Sequence, residues 1–225
     1  MPADDATPTG RSASKHRSIL EAAQTVFLRK GYGGATMDEV AALAAVSKQT
    51  VYKHFADKQR LFTAVITGEI GAAEALTHEM VEALAASDDI ENDLRRFGRE
   101  HIADVVQPHL IRLRRIVIAE AERFPELARA WYANGPERGH ATLARQFQEL
   151  DRRGLLRVDD PLLAAEHFSW LILAIPLNRA MFHGRDTELT PNELERYADE
   201  GVRVFLAAYG RRGDTLEVAH DLLGP

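Results

Sequence analysis

The chain has 225 residues and no cysteine. This excludes disulfide bonds, thiolate zinc sites and cysteine nucleophiles. The sequence also lacks a long apolar run, because the longest, from Trp170 to Leu177, is too short to cross a bilayer and contains Pro176. Since no segment resembles a signal peptide either, we expect a cytoplasmic protein with no membrane partner.

The sequence patterns of several enzyme classes are missing as well. The chain contains no Gly-x-Ser-x-Gly segment, no phosphate-binding glycine loop and no dinucleotide-binding Gly-x-Gly-x-x-Gly. The nine histidines include no His-x-x-x-His pair. Glu100 and Asp104 flank His101 at helical spacing, but such charges usually form a solvated helix face. We therefore predict that the protein is not an enzyme and has no metal site and no cofactor.

Negative charge prevails overall, at -6, but the two signs are unevenly distributed. Residues 1–60 carry nine Lys or Arg against six Asp or Glu, whereas the remaining residues carry 19 against 28. All five lysines lie in the first segment. A small positive module beside a larger acidic part is expected when only the module meets phosphates. The charge pattern therefore supports nucleic-acid binding by the N-terminal segment.

Residues 36–62 have the pattern of two short helices, a tight turn between them and a longer helix. Thr36 and Glu39 form a capping-box pattern before apolar residues that repeat at helical spacing. Ser47 is a second N-cap, so a turn is required at residues 45 and 46. Asp57 is placed to cap the longer helix. This order of elements is typical of a unit that binds DNA.

The second short helix is anchored by very few side chains, namely Val51 and Phe55 at i and i+4. Its other side chains remain outside: Lys48, Gln49, Thr50, Tyr52, Lys53 and His54. In a major groove, Lys suits guanine edges, Gln suits adenine and Thr suits the thymine methyl group. The phenol, the second lysine and the imidazole are better placed for phosphate oxygens. The alternative is an ordinary solvated face on a small helix.

These residues resemble the TetR family of transcriptional repressors. The matching residues are Gly31, Tyr32, Thr36, Val40, Ala41, Ala44, Val46, Ser47, Tyr52, His54, Phe55 and Lys58. The match covers about residues 15–62 and departs from the family at Ala45, where glycine is more common. A non-glycine residue in a left-handed turn costs about 1 kcal/mol. The predicted DNA contacts are Thr36, Lys48, Gln49, Thr50, Tyr52, Lys53, His54 and Lys58.

Helical spacing continues along the rest of the chain, without strand alternation. We predict a long helix from about 58 to 86 and shorter ones at about 90–106, 108–123, 125–133 and 136–153. The last two, 161–183 and 191–209, begin at Asp160-Pro161 and Thr190-Pro191. The predicted fold is all-α. Its parts are a disordered arm (1–14), a three-helix DNA-binding domain (15–60), a larger helical ligand-binding and dimerisation domain (61–212) and a tail (213–225).

The helix at 161–183 is apolar on nearly every side, so both of its faces must be covered. One alternative is a fully buried helix in a monomer. The other is a partner subunit, as in the four-helix dimer interface that the resemblance implies. Pro176 should kink this helix and open a pocket, where Asn178 could bond freed backbone groups. The candidate ligand contacts, each of which could instead belong to the core or interface, are Phe97, His101, Ile102, Trp131, His167, Trp170 and Asn178.

Together these patterns predict a homodimeric, sequence-specific DNA-binding regulator. With the resemblance, we expect a repressor that binds a palindromic operator and is released by a small apolar or amphipathic ligand. The long helix from Asp57 would carry the signal, and Gly68 and Gly71 within it indicate either close packing or a hinge. The main alternative is a helical adaptor that binds proteins through residues 36–55, and a small-molecule enzyme is a third possibility.

Overall fold

The computed structural model describes residues 10–183 and 189–211, and the regular elements within these ranges are helical. They are α1 (Gly10–Gly34), α2 (Met37–Leu43), α3 (Lys48–His54), α4 (Lys58–Leu84), α5 (Ile90–Val105), α6 (Pro108–Glu120), α7 (Pro125–Tyr132), a π-helical turn (Ala133–Glu137), α8 (Arg138–Arg152), α9 (Pro161–Phe182) and α10 (Pro191–Tyr209). The prediction of an all-α fold is confirmed. In the described ranges, no helix has the combined length and apolarity that a membrane crossing requires.

The ends of the chain differ in part from the prediction. Helix α1 already begins at Gly10, so residues 10–14 are helical and do not belong to an arm. The rest of the predicted arm and the predicted tail at 213–225 lie outside the described residues. At its other end α1 bends at Gly31, whose φ of 71° and ψ of 175° are not helical. The regular helix therefore breaks at Gly31, and the short helical segment after it ends at Gly34.

Of the described residues, the first compact unit comprises 10–72 and 108–136. Its core contains Phe27 and Phe62, whose ring centroids lie 4.6 Å apart, and Leu113 of α6 is fully buried in the same cluster. Helices α6 and α7 therefore pack with the N-terminal helices. The sequence placed them in the second domain because helical periodicity alone does not show which core a helix joins.

The second compact unit comprises, among the described residues, 73–107, 137–183 and 189–211. Helices α5, α8, α9 and α10 surround a cluster of aromatic rings. Phe205 lies 5.0 Å from Phe147 and 5.2 Å from Phe168, measured between ring centroids, and all three side chains are fully buried. This aromatic cluster holds the four helices together.

Helix α9 runs without interruption through Pro176. The side-chain amide of Asn178 donates to the carbonyl of Ala174 at 2.7 Å, which is not the Ile172 carbonyl that Pro176 leaves without its usual donor. Helix α10 comes very close to α9 at Gly201. A Cβ atom there would lie 2.6 Å from Cγ2 of Ile172, which is nearer than two carbon atoms that are not bonded to each other can approach.

Helix α4 contributes to both units, with its residues 58–72 in the first and 73–84 in the second. As predicted, Asp57 caps it, since the Asp57 carboxylate accepts from the amide of Arg60 at 2.7 Å. A Cβ atom at Gly68 or Gly71 would meet no described atom within 4 Å. Close packing within the described chain therefore does not require these glycines, and the hinge stays a prediction.

Candidate DNA-binding surface

The start of α2 is fixed by the predicted capping box. The amide of Glu39 donates to Oγ1 of Thr36, and the amide of Thr36 donates to the Glu39 carboxylate, both at 3.3 Å. The Thr36 hydroxyl also donates to that carboxylate at 3.1 Å. Lys30 of α1 pairs with the same carboxylate, and this bond is the largest cause of the lowered pKa of Glu39. Glu39 therefore both completes the capping box and ties α2 to α1.

The turn between α2 and α3 has the predicted geometry. Ala45 adopts a φ of 53°, the left-handed conformation in which glycine is more common. The amide of Val46 then donates to the Ala41 carbonyl at 3.1 Å, which closes the turn. Ser47 caps α3 by accepting from the amide of Thr50 at 3.1 Å. The strained residue is thus held by regular hydrogen bonds on both sides.

Helix α3 is anchored on one side and exposed on the other. Val51 is fully buried and Phe55 is 6% exposed. The opposite face presents the predicted set of side chains, of which Lys48, Gln49, Tyr52 and Lys53 are exposed, and Thr50 and His54 are half-buried. A seven-residue helix held from below by two apolar anchors leaves its polar face available to a groove.

Two of the predicted base-contacting residues already have partners within the chain. The Lys48 ammonium lies 2.7 Å from the Asp38 carboxylate of α2, and this bond raises the pKa of Lys48. The hydroxyl of Thr50 is 2.8 Å from that of Ser47, which leaves its methyl group as the part suited to thymine. Ion pairs between exposed side chains contribute little to stability, so a DNA base can displace Asp38.

The half-buried His54 is packed among rings. Its ring centroid lies 5.6 Å from that of His16 of α1, and His16 stacks on Phe55 at 4.8 Å. Burial lowers the pKa of His54, and the nearby His16, Lys53 and Lys15 lower it further. His54 is therefore neutral at pH 7, and it can meet a phosphate by donating an N–H group but not as a cation.

Lys58 is placed differently from the expectation of a phosphate contact. Its ammonium donates to the carbonyls of Tyr32 at 2.8 Å, Ala35 at 3.1 Å and Gly33 at 3.5 Å. It also lies 4.7 Å from the centroid of the Tyr32 ring. An ammonium has three N–H donors, and here all three have acceptors at the C-terminal end of α1. In this arrangement Lys58 joins the start of α4 to the end of α1.

Comparison with known proteins identifies two matching segments. The family model described as bacterial regulatory proteins, tetR family, matches residues 19–65. The model described as AefR-like transcriptional repressor, C-terminal domain, matches residues 92–211, which is more than half of the chain. The chain belongs to the TetR family. As a TetR-family protein it is a DNA-binding transcriptional regulator, and the prediction that it is not an enzyme is confirmed.

Several members of the TetR family are similar to this chain over different lengths. A regulator from Mesorhizobium loti MAFF303099 is 43% identical, with 90% of this chain and all of that chain covered and a TM-score of 0.84. The flavonoid-responsive regulator FrrA is 29% identical over 91% of this chain and all of its own, with a TM-score of 0.69. The repressor SCO4008 of Streptomyces coelicolor is 34% identical over 45% of this chain and 47% of its own length. The chain spans only 29% to 47% of the length of SCO4008 and of two other curated relatives.

The candidate ligand contacts of this TetR-family chain lie in varied surroundings. Phe97 and Ile102 are buried in the second unit, and His101 between them in sequence is half-buried. His167, Trp170 and Asn178 are exposed on α9, where His167 lies 2.6 Å from the hydroxyl of Tyr209. Trp131 belongs to the first unit and packs against its core, with the Arg114 guanidinium 5.6 Å from its ring. The second unit therefore brings together Phe97, His101 and Ile102, whereas Trp131 joins another core.

Two of the buried polar residues of the second unit were not among the predicted ligand contacts. His140 of α8 and Asp104 of α5 are each 8% exposed. A signal for His140 was available, because Leu143, Ala144 and Phe147 follow it at i+3, i+4 and i+7 and define an apolar face. Asp104 follows His101 by three residues, but because it is charged the sequence led us to predict that it is solvated.

Proposed function

We propose that the protein is a homodimeric repressor that binds a palindromic operator and is released from it by a small apolar or amphipathic ligand. The observation that carries DNA recognition is the polar face of α3, held outward by the buried anchors Val51 and Phe55. We assign base contacts to Lys48, Gln49 and the Thr50 methyl group, and phosphate contacts to Tyr52, Lys53 and His54. Such a protein would act in the cytoplasm, where a bacterial chromosome lies.

Lys58 and Thr36 receive a different role in this proposal. Their polar groups are occupied by the carbonyls at the end of α1 and by Glu39, respectively. We therefore propose that both residues position the helices that carry the contacts.

The proposal of a homodimer rests on the exposed apolar side chains of α9. Trp170 is 51% exposed, Leu171 40%, Ile175 53% and Phe182 84%. Leu171, Ile175 and Phe182 lie on one side of the helix, and Trp170 lies about a third of a turn from Leu171. Val204 of α10 is also exposed. Soluble proteins rarely leave a large contiguous apolar patch uncovered. In such a dimer we expect the two α3 helices to enter successive major grooves, about 34–36 Å apart, and the operator to be palindromic.

The ligand response is proposed as a population shift. A ligand that binds better to a state with wrongly spaced α3 helices weakens DNA binding by thermodynamic linkage. Helix α4 belongs to both compact units, so it is the element through which we expect the two sites to be coupled. The name of FrrA, a flavonoid-responsive regulator, supports a response to a small molecule in this chain.

The decisive experiment is the selection of bound duplexes from a random pool, followed by sequencing. We expect an inverted repeat whose half-sites lie one helical turn, or a multiple of it, apart. Lys48→Ala or Gln49→Ala should alter the selected bases, whereas Lys53→Ala should keep them and reduce the dependence of affinity on salt. If the wild-type protein selects no common sequence, the proposed DNA recognition is wrong. If Lys53→Ala changes the selected bases while Lys48→Ala and Gln49→Ala do not, the assignment of base and phosphate contacts is wrong.

A further inference from the structure

In the second unit, three buried side-chain polar atoms have no hydrogen-bond partner among the described residues. They are Nδ1 of His140 on α8, and Oδ2 of Asp104 and Nε of Arg95 on α5. His140 and Asp104 are more than nine-tenths buried, whereas the Arg95 side chain is 36% exposed. An unsatisfied polar atom in a protein interior costs about 1–3 kcal/mol, so the two of His140 and Asp104 suggest that a partner from outside the chain completes them.

His101 connects these two residues. It precedes Asp104 by three positions on α5, so both lie on the same face of that helix. Burial chiefly lowers the pKa of His101 to about 4, and the electrostatic effect of His140 contributes to this lowering. Burial likewise lowers the pKa of His140. Both imidazoles are therefore neutral at pH 7 and can donate as well as accept hydrogen bonds.

An apolar, aromatic floor accompanies the polar cluster. The His101 ring stacks on Phe97, with 5.3 Å between centroids, and Phe97 stacks on Phe168 at 5.9 Å. The nearby charges are negative, since Glu100 acts on Asp104 and Glu166 acts on His140. Such surroundings favour a flat, uncharged molecule and oppose an anion.

We infer that His101, Asp104 and His140 form the polar end of the ligand site and select an uncharged aromatic molecule that carries a hydroxyl group. The inference rests on the ligand response proposed above and names its chemical class. A hydroxyl donates to the Asp104 carboxylate or an imidazole nitrogen and accepts from an imidazole N–H, so it can satisfy either unpaired atom. The stacked rings of Phe97 and His101 provide the contact for the aromatic part.

A matched series of three probes tests this selectivity at pH 7. They are 2-naphthol, its methyl ether and 2-naphthoate, and their binding to the full chain is measured by calorimetric titration. We expect 2-naphthol to bind about tenfold more tightly than the ether, as one hydrogen bond to a buried partner predicts, and 2-naphthoate to bind most weakly. The preference for 2-naphthol should disappear in His140→Phe and in Asp104→Leu, and persist in His78→Phe, whose position is exposed.

Absence of 2-naphthol binding, tighter binding of 2-naphthoate, or an unchanged preference in both site variants would each overturn the inference. Unfolding in urea separates this role from a structural one. Because His140→Phe removes an unpaired buried atom, it should keep or raise the stability of the protein while losing the preference. Binding of the selected operator is measured for every variant. If operator binding persists and the preference is absent, the inference fails and the regulator function stands; if the wild-type protein binds no duplex, the proposed function itself fails.

Discussion

Replacement of Lys58 by methionine distinguishes a positioning role from a phosphate contact. Methionine keeps the unbranched stem but removes the ammonium that donates to Tyr32, Gly33 and Ala35. A hydrogen bond to a charged group contributes about 1.5–3 kcal/mol, and the three bonds are neither additive nor fully buried. We therefore expect Lys58→Met to lower the free energy of unfolding by about 2 kcal/mol, which corresponds to a fall in Tm of about 4–8 °C.

Lys53→Met is the matched control, since Lys53 is exposed on α3. It should leave the unfolding free energy within about 0.5 kcal/mol of the wild type. The two variants are compared by urea unfolding and by the slope of log Kd against log salt on a random duplex. Loss of Lys53 should reduce this slope by about 0.9 for each phosphate contact removed, whereas Lys58→Met should preserve the slope. Wild-type stability together with a reduced slope in Lys58→Met would refute the positioning role.

Three further predictions concern the second unit. Gly201→Ala should lower the unfolding free energy by about 1–3 kcal/mol, because the new Cβ would overlap Ile172. Gly98→Ala is the control: its Cβ would lie 3.5 Å from that of Ala198, so the change should be neutral or stabilising by up to about 1 kcal/mol. Equal unfolding midpoints for the two variants would contradict the close approach of α10 to α9. The pKa of His101 is about 4 in the folded protein and 6.5 in the unfolded chain. Between these pH values the unfolded chain binds more protons, so the contribution of His101 to the free energy of unfolding is fully present above pH 6.5. This free energy should fall by roughly 3 kcal/mol as the pH is lowered to 4. The variant His101→Phe should lose this part of the pH dependence in urea unfolding, and an unchanged profile would exclude His101 as its source. Trp170→Glu should convert a dimer into monomers in sedimentation experiments at micromolar concentration, and an unchanged mass would remove Trp170 from the interface.

The local features of the DNA-binding surface could be predicted because their partners are close in sequence. Thr36 bonds Glu39, Ser47 bonds Thr50, and the turn at Ala45 follows from the distance between the two caps. The apolar anchors Val51 and Phe55 are likewise one helical turn apart. Capping chemistry and helical periodicity act over three or four residues, so the sequence contains all the information that they need.

The contacts that escaped prediction join distant parts of the chain. The carbonyl partners of Lys58 lie 23 to 26 residues before it, and a lysine near a DNA-binding helix equally suits a phosphate contact. Trp131 belongs to the core of the first unit because α6 and α7 return to it. His140 and Asp104 are buried by helices that the sequence could locate but could not pair. Which helices share a core is a tertiary property, and periodicity does not encode it.

The ion pair between Lys48 and Asp38 affects how operator selectivity should respond to ionic strength. A lysine that meets a phosphate displaces condensed counterions, so its contribution declines steeply as salt is added. In the proposed complex, Lys48 leaves the Asp38 carboxylate and donates to acceptor atoms of a base. Added salt weakens the Lys48–Asp38 ion pair, which must be broken, and it also weakens the new contact between Lys48 and the base. These two effects oppose each other, so the contribution of Lys48 varies little with salt. The ratio of operator to random-DNA affinity is therefore expected to increase with ionic strength while both affinities fall.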